Sequence, residues 1–178
     1  MNHQDHVRLL RKGVATPGGI WADLGCGTGA FTLALADLLG LAGSIYAVDK
    51  DRRALDVLRR TMQTSFPATT LYTLQGDFTH PLELPMLDGI VMANSLHFVR
   101  KKDALLQQMH SYLHPGGRLL LVEYNADQGN PWVPYPLAYP IWERLAAHNG
   151  FHATCLLERV PSRFLGEIYA ALSFASPP

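Results

Sequence analysis

The chain has 178 residues, and its fifteen basic and fifteen acidic side chains cancel to a formal net charge of zero. That length reads as one domain, residues 1–178, with a core of ordinary size. No Lys/Arg-rich stripe favours a nucleic-acid partner, and no apolar run is long enough to cross a bilayer.

The polar start, Met1-Asn2-His3-Gln4-Asp5, lacks the features of a secretion signal. Residues 3–12 read as a short helix with Val7, Leu9 and Leu10 on its apolar side. An apolar strand over 20–24 runs into Gly25-Cys26-Gly27-Thr28-Gly29, and helix formers follow over 29–39. A second strand, 44–48, ends on Asp49. A helix over 51–65 carries Leu55, Leu58 and Met62 at core spacing, with Arg52, Arg53, Arg59 and Arg60 outward. Strands follow over 69–75 and, after the turn residue Asp88, over 89–93. A helix over 101–113 is stopped by His114-Pro115-Gly116-Gly117. The fifth strand, 118–123, has the apolar run of a central parallel strand. This alternation predicts an α/β parallel sheet.

The character then changes. Pro131, Pro134, Pro136 and Pro140 stand among Trp132, Tyr135 and Tyr139, so residues 125–140 form neither strand nor helix. A loop of about 15 residues is usually functional or disordered, and its aromatics argue for order. A helix over 140–149 precedes strands over 151–160 and 166–174, whose short link suits an antiparallel pair. Cys26 and Cys155 are far apart and lack ligand spacing. No metal site is therefore expected, and isolated thiols point to a reducing, cytoplasmic compartment.

The alternating glycines carry the chemistry. Bare positions at 25, 27 and 29 let a ligand touch the backbone at a helix N-terminus. Asp49, at a strand's carboxyl end, can accept two hydrogen bonds from a ribose diol; its alternative is to cap the helix starting at Asp51. A nucleoside cofactor follows. Dinucleotide sites prefer Gly-x-Gly-x-x-Gly and room for a pyrophosphate. Here the pattern is Gly-x-Gly-x-Gly with Asp23 two residues ahead, and a buried carboxylate there repels a pyrophosphate yet suits an ammonium. The alternative for Asp23 is a structural or capping acid.

Five segments in order complete the pattern: Asp23-Leu24-Gly25-Cys26-Gly27-Thr28-Gly29, Val48-Asp49-Lys50, Gly76-Asp77-Phe78, Ala93-Asn94-Ser95-Leu96-His97-Phe98 and Leu113-His114-Pro115-Gly116-Gly117-Arg118-Leu119. With them, nearly the whole chain resembles the class I S-adenosylmethionine-dependent methyltransferases of small-molecule type. The resemblance implies a doubly wound, Rossmann-like, seven-stranded and mostly parallel sheet in the order 3-2-1-4-5-7-6. One strand is antiparallel, and helices cover both faces. It implies S-adenosylmethionine as cofactor, held by Asp23, Gly25, Cys26, Gly27, Gly29, Asp49, Lys50, Asp77, Phe78 and Asn94. Cys26 serves through its backbone. Asp77 accepts from the adenine amine, or is a turn residue, and Phe78 supplies a backbone N–H and an apolar wall.

On the acceptor side, His97 is the candidate catalytic base, since an imidazole takes a proton near neutral pH; otherwise it packs in the turn after the fourth strand. Tyr124, Asn125, Trp132 and Tyr135 line the substrate pocket with His97, or anchor their own segments. The Asn-Pro-Pro-Tyr-like tetrapeptide of amine methylation in this family is replaced by Asn94-Ser95-Leu96-His97, which points toward a small-molecule acceptor. With about 19 residues before the first strand, cover is expected from the 125–140 loop, from a second copy in a homodimer, or from the substrate. The expected activity is in-line transfer of a sulfonium methyl group, catalysed by alignment and exclusion of water. The alternatives are a non-catalytic binding protein of the same fold, an RNA or protein methyltransferase, and a nucleotide-dependent oxidoreductase.

Overall fold

A computed structural model describes residues 1–177. The strands β1 (Gly19–Leu24), β2 (Gly43–Asp49), β3 (Thr70–Gln75), β4 (Leu87–Ala93), β5 (Leu113–Tyr124), β6 (Phe151–Ser162) and β7 (Gly166–Ala175) form one sheet. Their order is β3-β2-β1-β4-β5-β7-β6, as the resemblance implies. β1 to β5 pair in parallel, and β7 runs antiparallel to both β5 and β6.

Side chains alternate between the two faces along each central strand. Trp21, Leu120 and Val122 enter one buried cluster, whereas Ala22, Leu24, Leu119 and Leu121 enter the other. Helices α1 (His3–Arg11), α2 (Ala30–Leu39) and α3 (Arg52–Ser65) cover the first face, and α4 (Asp103–Tyr112) and α5 (Tyr139–His148) the second. In α3 the apolar stripe read from the sequence, Leu55, Leu58 and Met62, is the buried one. The start of α1 is fixed by a capping box, in which Asn2 and Asp5 exchange side-chain-to-backbone hydrogen bonds of 3.0 Å each. Among the described residues no helix is long and apolar enough to cross a membrane.

Two connections depart from simple alternation. Between β3 and β4 no helix forms among the described residues, because Pro81 and Pro85 interrupt the segment. α4 holds it instead: Gln108 Nε2 donates to the carbonyls of Phe78 (3.2 Å) and His80 (3.0 Å), and the Tyr112 hydroxyl accepts Leu82 N–H at 2.8 Å. The second departure is β5, expected to begin at Arg118, which begins at Leu113. Leu113 pairs with Leu87, and the ladder then shifts so that Arg118 faces Gly89. Pro115 has no N–H for the ladder, and Gly116 turns the chain at φ +75°, so the intervening residues bulge out.

Gly29 ends the glycine loop and leads into α2 at φ +94°, and a Cβ there would lie 2.2 Å from Leu58 Cδ1. A leucine tip can shift, so backbone strain dominates. Gly29→Ala is expected to lower stability by about 2 kcal/mol. An unchanged urea midpoint would show that the strain is absent.

Candidate active site

The carboxyl ends of β1, β2, β3 and β4 open into a cleft of about 350 Å³. It lies where the strand order reverses, between β1 and β4, the usual ligand position in an open α/β sheet. Gly25, Asp49, Lys50, Asp77, Phe78 and Asn94 line it, so six of the residues singled out from sequence meet in one place. Ser95, Thr79 and Phe98 contribute the rest of the polar and aromatic wall.

The glycine loop is pinned to β2. The N–H groups of Gly25 and Cys26 both donate to Val48 O, at 2.9 and 3.0 Å. Asp49 adds its carboxylate: Oδ2 accepts Gly27 N–H and Oδ1 accepts Asp51 N–H, each at 2.8 Å. The cap of α3 is Asp51, whose Oδ1 accepts from Arg53 N and Ala54 N. The capping role considered for Asp49 therefore belongs to its neighbour. A Cβ on Gly25 would stand 2.6 Å from Ser95 Cβ, so the floor of the cleft excludes a side chain there, whereas the space over Gly27 is open.

Asp23 lies beneath this loop, not on the cleft wall. It is 1% exposed, and its Oδ2 accepts the Thr32 hydroxyl at 2.6 Å. Burial pushes its carboxyl up to about 7; the Thr32 bond opposes this and the Asp49 charge adds to it. Burial, then the two nearby carboxylates, also pushes the Cys26 thiol up, which removes thiolate reactivity. Asp77 is a turn residue that also lines the cleft. Its Oδ1 accepts from Thr79 N (2.9 Å) and Thr79 Oγ1 (2.7 Å), bonds that hold the carboxyl below its ordinary range, and it still lines the cleft.

Asn94 is held at φ +52° by a bond from its N–H to Val122 O of 2.8 Å. Its Oδ1 is buried with no partner among the described residues. Asn94 thus joins the cleft wall in a left-handed backbone conformation, with its side-chain oxygen turned into the protein.

Beside Asn94, His97 is buried and its Nδ1 lies 2.8 Å from Glu123 Oε2. Glu123 was not singled out from sequence, although it is the charge that ends an otherwise apolar central strand. Lys102 was also missed. Its buried ammonium donates to Val99 O (2.7 Å) and Tyr135 O (3.2 Å), tying the proline-rich loop to the turn after β4. Burial lowers its proton affinity, and the Glu123 charge works against that. The same loop is fastened by Tyr135 N–H to His97 O at 3.1 Å and by Tyr169 Oη donating to Leu137 O at 2.9 Å. It is thus anchored on the turn that carries His97, and none of its residues lines the cleft.

The other acceptor-side residues divide. The Tyr124 ring packs edge-on to Phe164, and Trp132 does the same from the loop, so both belong to one exposed aromatic rim. Asn125 has both ends of its amide engaged: Nδ2 donates to Glu167 at 2.7 Å and Oδ1 accepts Tyr139 N–H at 3.0 Å. Its observed work is to join β5, β7 and the start of α5.

A family profile described as a methyltransferase domain matches residues 22–117. A demethylmenaquinone methyltransferase of Lactobacillus johnsonii is 26% identical over 148 residues, 80% of this chain and 60% of that protein. A ubiquinone/menaquinone biosynthesis C-methyltransferase of Vibrio vulnificus is 30% identical over 118 residues, 66% of this chain and 45% of that one. The chain spans about half the length of the curated relatives it matches. Among solved structures, the YcgJ protein of Bacillus subtilis superposes with a TM-score of 0.79 at 13% identity, covering 99% of this chain and 100% of that one. The 1,6-didemethyltoxoflavin-N1-methyltransferase of Burkholderia thailandensis gives 0.78 at 17% identity, covering 99% and 79%. At these identities the structures speak for the fold, while the profile runs from inside β1 to the bulge within β5. On that match the chain belongs to the methyltransferase-domain family.

Proposed function

We propose that this chain transfers the methyl group of S-adenosylmethionine to a small-molecule acceptor. One observation carries the reading: the bare backbone of Gly25, the acceptor-only carboxylate of Asp49, the Asp77-Phe78 segment and Asn94 share a single cleft at the strand ends. That donor set fits the cofactor. Asp49 has lone pairs left for a ribose diol. The segment Asp77-Phe78 offers a polar edge and an apolar wall to adenine. The cofactor supplies an electrophilic methyl group on a sulfonium.

The chain's own part is alignment and exclusion of water. Gly25 lets the ligand rest on the backbone, and Phe98 and Val99 form the apolar side. The relatives named for menaquinone and ubiquinone biosynthesis favour an aromatic quinol as acceptor. The free thiols of Cys26 and Cys155 accord with a reducing cytoplasm.

Calorimetric titration with S-adenosylmethionine and with S-adenosylhomocysteine tests the cofactor, and transfer of labelled methyl onto 1,4-naphthoquinol tests the acceptor class. Micromolar binding of both and label in the extracted quinol are expected. Binding of neither would refute the reading.

A further inference from the structure

Glu123 lies fully buried on the β5 face that meets α4 and α5. Both of its carboxylate oxygens already accept backbone N–H groups, Oε1 from His97 at 3.1 Å and Oε2 from Tyr124 at 3.3 Å. Oε2 also meets His97 Nδ1 at 2.8 Å. Against a carboxylate that accepts on both oxygens, the ring nitrogen is the donor, and the proton sits on Nδ1. His97 Nε2 has no partner within the described residues. Unlike the buried, unpartnered ring nitrogens of His110 and Trp142, it keeps contact with solvent.

Aromatic rings flank the imidazole. The Phe98 ring, which lines the cleft, lies 4.3 Å from the imidazole, and the Tyr124 ring lies 6.0 Å away. Phe164 and Trp132 continue the same rim. The charged and titratable groups around the pair are Lys102 at the start of α4, Tyr169 opposite Glu123 in register on β7, Tyr124 on β5, and Tyr135 in the loop.

We propose that Glu123 is a positioning residue that fixes the His97 tautomer, leaving Nε2 as the base for a hydroxylated aromatic acceptor. This rests on the methyl-transfer reading above. The acceptor hydroxyl gives its proton to Nε2, and the electron pair so released forms the bond to the methyl carbon. The carbon–sulfur bond breaks with its pair staying on sulfur, which leaves as a neutral thioether. Glu123 balances the imidazolium until the proton passes to water.

The test reads the tautomer directly, by nitrogen-15 NMR of histidine-labelled protein at about pH 8.5, above the ordinary imidazole range. The His97 signals are assigned by their loss in His97→Asn. Wild type is expected to carry the proton on Nδ1. In Glu123→Gln the side-chain amide can donate to Nδ1, so the Nε2-protonated form appears. With S-adenosylmethionine and 1,4-naphthoquinol, Glu123→Gln is expected to lower kcat about 30- to 100-fold, with the Kd for S-adenosylhomocysteine changed by less than about twofold. A proton on Nε2 in wild type would overturn the proposal, as would an unchanged kcat in the variant. The wild-type spectrum needs no variant that must fold and no acceptor that must react. If S-adenosylhomocysteine fails to bind, the methyl-transfer reading falls while the tautomer result stands by itself.

Discussion

Asp49→Ala is expected to weaken S-adenosylmethionine binding by about a thousandfold. Two charge-assisted hydrogen bonds to a ribose diol are each worth about 1.5–3 kcal/mol, and both vanish with the carboxylate. The loop also loses its tether, because Asp49 Oδ2 is what accepts Gly27 N–H. The fold itself depends less on this side chain, since α3 keeps its own cap in Asp51 and the loop keeps its bonds to Val48 O. Titration calorimetry on the variant, with its melting temperature as control, is the measurement. Undiminished affinity in a folded variant would remove Asp49 from the cofactor site and leave it a loop anchor.

Asp23→Asn is expected to stabilise the protein above neutral pH by about 2–4 kcal/mol. Burial raises the carboxyl from an ordinary 3.8 to about 7 in the folded chain. Between those values the unfolded chain ionises freely while the folded chain keeps its proton. Stability is therefore lost progressively as pH rises from about 4 to about 7, and the loss is constant above that. Each unit of displacement is worth about 1.4 kcal/mol, which sets the upper end of the range. Asparagine keeps an oxygen to accept the Thr32 hydroxyl and carries no charge to bury. Urea unfolding at about pH 4.5 and pH 8 reads the effect. The two proteins should differ little in acid, and the variant should be the more stable at pH 8. A variant less stable at pH 8 would mean that the Asp23 charge supports the native state through a partner other than Thr32.

The chain's local patterns carried most of the architecture. The apolar runs at β1, β2, β4 and β5 are strands because both of their faces are covered, which removes the need for alternation. The bare loop after β1 is legible for a related reason. Its glycines answer to backbone conformation and close approach, both local demands, and Gly25 and Gly29 meet them at φ +80° and +94°. The bounds of β5 were not legible. Pro115 and Gly116 read as a stop, yet Leu113 finds a partner in Leu87, a residue distant in sequence.

Local pattern alone was enough to place the strands and the glycine loop, and to bring Gly25, Asp49, Asp77 and Asn94 to one end of the sheet, where they line the cleft. Partners that meet across the sheet are a different matter, since no local pattern announces them. His97 and Glu123 lie on different strands' ends and become a pair only because β4 and β5 are neighbours in the sheet. Asn125 reads as a pocket residue or an anchor of its segment, and only the fold brings Glu167 and Tyr139 from distant elements to engage its amide. Asp23 reads as a buried carboxylate, and only the fold brings it Thr32 as its partner, beneath the loop. In each case a side chain's chemistry is set by neighbours far away in sequence, and burial, hydrogen-bond partner and protonation are properties of that neighbourhood.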